Sequence, residues 1–176
     1  MVWKKLDAEE VFRSRWMSVS NDRVLTDDGT EIQFGVVHKA AAVLVIAWDG
    51  ERTVLVGQYR YPVNLFSWEF VQGHMEHASL EEAARHELEE EAGLSPANLV
   101  KIGTFYLAPG HHTQEYQVFV ASSCSSVPQK LECTEQGMQV RHLSLSDVEQ
   151  MIARGEIRDS PTITALKLFE IYLAKR

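Results

Sequence analysis

Apolar and polar positions along the chain change period several times, and each change marks an element. Residues 18–25 (SVSNDRVL) and 30–37 (TEIQFGVV) alternate on either side of Asp27-Asp28-Gly29, which predicts a hairpin. Ala40–Ala47 is an apolar run of strand length, suited to a buried strand. Asp49-Gly50 is a turn signal, and Thr53–Tyr59 is the next strand, so this pair predicts a second hairpin. Residues 66–71 (FSWEFV) read as extended and lead into a loop over 72–78. The period then becomes helical from Ser79, where Ser79 and Glu82 fit the S-x-x-E capping pattern, and Gly93 is a fitting terminator. Extended stretches follow near Val100–Tyr106, Gln117–Ala121 and Gln139–Leu143. Asp147–Arg154 reads as a helix ending at Gly155, and residues 161–174 as a last helix with Pro161 in its first turn. Strands dominate with helices between them. The expected fold class is α+β, a sandwich of helices around a mixed β-sheet, rather than a doubly wound parallel fold.

On a wheel of about 100° per residue with Leu80 at zero, Ala84 falls near 40°, Leu88 near 80° and Ala83 near 300°, forming the apolar arc. Glu82 and Glu89 fall on the opposite, solvent side. Glu87, near 340°, and Glu91, near 20°, lie inside the apolar arc one turn apart, with Glu90 at its edge near 280°. Two like charges placed there repel and cost more as they are buried, unless a counter-charge meets them. A remote arginine is one such partner. A hard cation such as Mg²⁺ or Mn²⁺, which prefers carboxylate oxygen, is the other.

Composition narrows the classes. The 176 residues, 45% hydrophobic and 24% charged, suit a soluble globular chain with one sizeable core. A formal net charge of −8 argues against non-specific binding of nucleic acid or acidic membranes. Apolar runs are too short for a bilayer span, and the N-terminus lacks a signal-peptide core, so a cytoplasmic protein is expected. Cys124 and Cys133 read as reduced thiols. His74, His77, His111 and His112 lack the cysteine partners that would build a structural zinc site. Trp16, Trp48 and Trp68 are expected in the core or an interface.

Residues 72–94, QGHMEHASLEEAARHELEEEAGL, resemble the signature of the Nudix hydrolases: Gly, five residues, Glu, seven residues, then Arg-Glu-apolar-x-Glu-Glu-x-Gly-apolar. Glu87, Leu88, Glu90, Glu91, Gly93 and Leu94 fit. The chain departs from it at Gln72 (with Gly73 beside it), at Ala78 for the first glutamate and at His86 for the arginine. VGQYRYPV, WEFVQGHME, LAPGHHTQE with Pro109 sixteen residues after Gly93, and GEIRDSPTITAL resemble the ADP-ribose and nucleotide-sugar pyrophosphatases of that family. The resemblance implies an α/β/α sandwich with a mixed sheet over residues 39–176. It also implies a small N-terminal β subdomain over 1–38 that helps form a homodimer.

It further implies Mg²⁺-dependent hydrolysis of ADP-ribose or a related nucleoside diphosphate sugar to a nucleoside monophosphate and a sugar phosphate. GDP-mannose is the alternative substrate. A non-catalytic nucleotide-binding module, suggested by Ala78 and His86, is the alternative function. By the resemblance, Glu87 and Glu91 are the principal metal ligands, assisted by Glu90 and the backbone carbonyl of Gln72. A general base comes from the loop LECTEQGMQV, which offers Glu132 and Glu135; Glu135 aligns better. Arg60 and Glu69 are substrate contacts, although Glu69 is also a natural partner for Arg60 itself. Pro109 and Glu115 belong to the substrate loop, with Glu115 on the terminal ribose side.

Overall fold

The computed structural model describes residues 2–74 and 79–176. Two compact units divide the chain: Met1–Ala41 with Phe105–Glu115, and Ala42–Thr104 with Tyr116–Arg176.

In the first unit, β1 (Lys4–Arg13), β2 (Ser18–Leu25) and β3 (Glu31–His38) form an antiparallel sheet in that order. The β2–β3 hairpin follows the alternation of its sequence. Its register runs from Ser18 opposite His38 to Leu25 opposite Glu31, and Gly29 takes a positive φ of 83° in the turn. The strand β1 is not marked by the sequence pattern, because nearly all its residues are exposed and leave no alternation to read. The 105–115 segment attaches to β3: Val37 N–H donates to the His111 carbonyl (2.8 Å), and Thr113 N–H donates to the Val37 carbonyl (3.0 Å).

The second unit holds two sheets. One contains β4 (Ala42–Ala47), β7 (Val71–His74), β8 (Leu94–Tyr106) and β9 (Glu115–Ser126) in the order β7-β4-β9-β8. It is mixed, since β4 runs antiparallel to β7 and parallel to β9. The other is antiparallel, in the order β10-β5-β6, from β5 (Arg52–Arg60), β6 (Leu65–Glu69) and β10 (Gln139–Ser144). Among the described residues, the α-helices α1 (Leu80–Ala92), α2 (Leu145–Ala153) and α3 (Ser160–Leu173) and a short 3₁₀ turn at Tyr61–Val63 also belong to this unit.

The expected hairpin of β4 with β5 does not form. These strands belong to different sheets: beside the Gly50 turn they share an isolated bridge, Trp48 opposite Thr53, and beyond it Val43 and Val45 pack with Val54 and Val56 in the core instead of pairing in a ladder. Every residue of β4 is buried, so both its faces are packed and it takes its ladder partners from distant segments. Val43, Val45 and Ala47 share a cluster with Ala83, Ala84 and Leu88 of α1, while Leu44 and Ile46 point to the opposite face and are equally buried. There Phe169 of α3 packs edge-on against Trp48 at 5.3 Å between ring centroids. Trp68 is buried beneath the Arg141 guanidinium, 4.1 Å from its ring, whereas Trp16 is exposed.

Candidate active site

The helix α1 starts and stops where its sequence says. Ser79 accepts from Glu82 N–H (3.1 Å), and Gly93 closes the helix in the left-handed region at φ 65°. The wheel divides its acidic run correctly on the inner side: Glu91 is only 3% exposed and Glu87 is half-buried. Glu89 departs from expectation. It is half-buried rather than solvated, because the chain turns back after Gly93 and brings the Ser95 hydroxyl to its carboxylate (2.6 Å).

Glu91 and Glu87 meet the strand β7. The Gln72 N–H donates to Glu91 Oε2 (3.3 Å). The Glu87 side chain lies directly over Gly73: a Cβ there would sit 1.9 Å from the Glu87 carboxyl carbon. The glycine that this crossing demands is therefore Gly73, not residue 72, and it stands one residue closer to Glu87 than the signature spacing. Ala78 and His77 lie outside the described residues.

Burial pushes the Glu91 carboxyl well above the ordinary carboxylate range. The charges of Glu87 and then Glu135 push it further, against the Gln72 N–H and Arg60. Glu135 thus belongs to the same electrostatic cluster, although it comes from the loop between β9 and β10. Its carboxylate accepts from the Glu132 N–H (2.9 Å). That loop is fastened to the last turn of α1. Val127 N–H donates to the Gly93 carbonyl (2.9 Å), Lys130 N–H to the Glu90 carbonyl (3.2 Å), and the Gln129 side-chain amide to the Glu91 carbonyl. Glu90 Oε2 stands 3.1 Å from His86 Nδ1, one turn back on α1.

On β5 and β6, Arg60 and Glu69 form a two-pronged ion pair, with Nε donating to Oε1 at 3.0 Å and the second prong from Nη2 to Oε2. Glu69 is buried, whereas the Arg60 side chain is 40% exposed and keeps one face open. Behind them lies a polar network unmarked in the sequence. The Gln72 side-chain amide donates to Asp159 Oδ2 (2.8 Å) and Glu69 Oε2 (3.4 Å). Asp159 caps α3, accepting from Thr162 N–H (2.9 Å) and the Thr162 hydroxyl (2.7 Å), which itself accepts from Phe70 N–H (3.0 Å). Burial and the Glu69 charge raise the Asp159 carboxyl, and burial and Asp159 push the Tyr116 hydroxyl up to about 12. The only available signal for Asp159 was its place before Ser-Pro at a helix start. Pro109 and Glu115 fall in the other compact unit, Pro109 exposed and Glu115 half-buried at the first position of β9.

The donor set fits a hard divalent cation in chemistry and charge: buried carboxylate oxygens whose mutual repulsion disfavours ionisation until a counter-charge arrives. Among the described residues, no three His, Cys, Asp or Glu side chains already converge as a complete cation site. Glu90 would have to leave His86 to join.

The NUDIX domain family matches residues 38–166, and the nucleoside diphosphate sugar hydrolase N-terminal domain family matches residues 3–37. The chain belongs to the Nudix family. It is a hydrolase of phosphoric anhydrides, and Nudix hydrolases generally use divalent metal ions. This Nudix chain is similar to the ADP-ribose pyrophosphatase of Bacillus subtilis (strain 168), 28% identical over 171 residues covering 96% of this chain and 92% of the relative. It is also similar to the GDP-mannose pyrophosphatase of Yersinia enterocolitica, 26% identical, covering 85% of this chain and 84% of the relative. Its fold matches a crystal structure of an ADP compounds hydrolase with a TM-score of 0.88 at 18% identity, over 99% of this chain and 96% of the other.

Proposed function

We propose that this enzyme hydrolyses the pyrophosphate bond of ADP-ribose, or a related nucleoside diphosphate sugar, with Mg²⁺. The products are a nucleoside monophosphate and a sugar phosphate. The observation that carries this reading is Glu91: an almost fully buried carboxylate, raised by Glu87 and Glu135, on the helix that bears the family's signature.

Glu87 and Glu91 would hold the cation, with Glu90 and the Gln72 carbonyl completing its protein oxygens. A divalent cation held there would supply positive charge against the pyrophosphate oxygens and make water a better nucleophile near neutral pH. Arg60, held in orientation by Glu69, uses its open face to donate to phosphate oxygens. A water oxygen bonds to one phosphorus while the bond from that phosphorus to the bridging oxygen breaks. Glu135 takes the proton from the attacking water, a role its electrostatic contact with Glu91 supports. An acidic chain recognises an acidic substrate in this way because the cation, with Arg60, reverses the local charge.

GDP-mannose is the second substrate reading, favoured by the similarity to the Yersinia enzyme. Residues 1–38 form the dimerisation subdomain and 39–176 the catalytic domain, with the exposed Trp3, Val11, Phe12 and Trp16 as apolar surface for a second copy. The test is a panel of nucleotide sugars and dinucleotides with Mg²⁺ or Mn²⁺ and identified products. ADP-ribose is expected to give AMP and ribose 5-phosphate at the highest kcat/KM. Tight binding without product would instead mean a nucleotide-binding module.

A further inference from the structure

The Nudix signature has a glycine where this chain has Gln72 and does not reach the cap of the last helix, yet the Gln72 side chain and that cap meet directly behind the site. One amide group, Gln72 Nε2, has two hydrogens and two carboxylate partners, Asp159 at 2.8 Å and Glu69 at 3.4 Å. It bridges the buried Glu69 and the half-buried Asp159, two acids whose charges repel. The backbone of this short strand segment is fixed on both sides of Val71. Phe70 N–H is held by Thr162, which is held by Asp159, and Gln72 N–H is spent on Glu91. Asp159 therefore reaches the segment by two routes, through Thr162 to Phe70 and through the Gln72 side chain.

We propose that Asp159, acting through Gln72, is a positioning residue for the hydrolysis: it fixes the 69–72 segment that presents Glu69 to Arg60 and the Gln72 N–H to Glu91. This rests on the reading of Glu91 as a cation ligand. All three hydrogen bonds to Asp159 land on Oδ2. Asparagine with its carbonyl oxygen in that place keeps all three, whereas alanine keeps none. Methionine at 72 keeps the length and the backbone N–H of glutamine but removes the amide.

The experiment measures kcat and KM for ADP-ribose with Mg²⁺, and separately the Kd for Mn²⁺ alone by electron paramagnetic resonance. It compares wild type with D159A, D159N, Q72M and the double variant Q72M/D159A, each well below its own Tm. Loss of a partner behind a metal ligand is expected to cost about 10–100-fold in Mn²⁺ affinity or kcat in D159A and in Q72M, with KM changing less. D159N is expected to recover most of the D159A loss. The double variant should fall well short of the product of the two single losses, because both variants remove the shared Asp159–Gln72 link. A lower Tm with Mn²⁺ Kd and kcat unchanged in D159A would reduce Asp159 to a helix cap and overturn the proposal, as would losses that multiply in the double variant. If wild type neither binds Mn²⁺ nor turns over ADP-ribose, the reading beneath the proposal fails. If wild type does both and D159A equals it, only the proposal fails.

Discussion

Glu91 carries opposite consequences for stability and for activity. Its folded-state carboxyl is raised by burial, Glu87 and Glu135, so between its ordinary and its raised value the native protein binds more protons than the unfolded chain. The stabilisation by its neutral form is complete below the ordinary carboxylate range and is lost as pH rises through the raised value. Metal-free wild type is therefore expected to lose Tm relative to E91Q as pH rises from the ordinary carboxylate range toward neutrality. In a chain of this size, each kcal/mol appears as about 2–4 °C. Calorimetric scans of both proteins in chelator across that range check it, and parallel curves would contradict it. Cation binding needs the ionised form, so Mn²⁺ affinity should rise over the same interval in wild type and stay flat and weak in E91Q. Gly73 is the second decisive residue. A methyl group there collides with the Glu87 carboxyl, so G73A is expected to displace Glu87, reduce turnover by about 10²-fold and cost roughly 1–3 kcal/mol of stability by overpacking. Steady-state kinetics and denaturant unfolding measure the two effects.

The helix α1 is the element on which the site is built, and both its ends are designed for it. At Gly93 an alanine would face the left-handed φ of 65° and place its Cβ 2.8 Å from the Val127 carbonyl, where the loop carrying Glu135 is fastened. G93A is expected to cost about 1–3 kcal/mol, read as a lower Tm, and to lower kcat further by disturbing that loop. This element was legible in the sequence because its information is local: a cap, a 3.6-residue period and a terminating glycine. The inward aim of Glu87 and Glu91 followed from the same period, and the fork between Arg60 and Glu69 was one of two readings open for those residues. Glu89 differs from the wheel's expectation because a wheel carries no knowledge of Ser95, which arrives only after the chain reverses. The pairing of β4 differs from the expected hairpin for a related reason. A strand packed on both faces shows no alternation that points to a partner, and its ladders lie with residues 71–74 and 116–121. Asp159 and Gln72 are 87 positions apart, and nothing periodic links them.

At the scale of the molecule, the chain is acidic, with a formal net charge of −8, and the site we propose gathers carboxylates that call for a counter-charge. Among the described residues no helix is long and apolar enough to cross a membrane. Exposed apolar residues of the N-terminal unit are the surface we assign to a second copy. F12E is accordingly expected to shift the sedimentation coefficient from that of a dimer toward that of a monomer, while an unchanged coefficient would remove β1 from the interface. We propose that the buried carboxylates of α1 hold a divalent cation that enables pyrophosphate hydrolysis. The most direct test is chromatography of the products formed from ADP-ribose by wild type and E91Q with Mg²⁺ at neutral pH. Wild type is expected to form AMP and ribose 5-phosphate, with turnover by E91Q reduced by at least about 10³-fold. Equal turnover by the two proteins would contradict it.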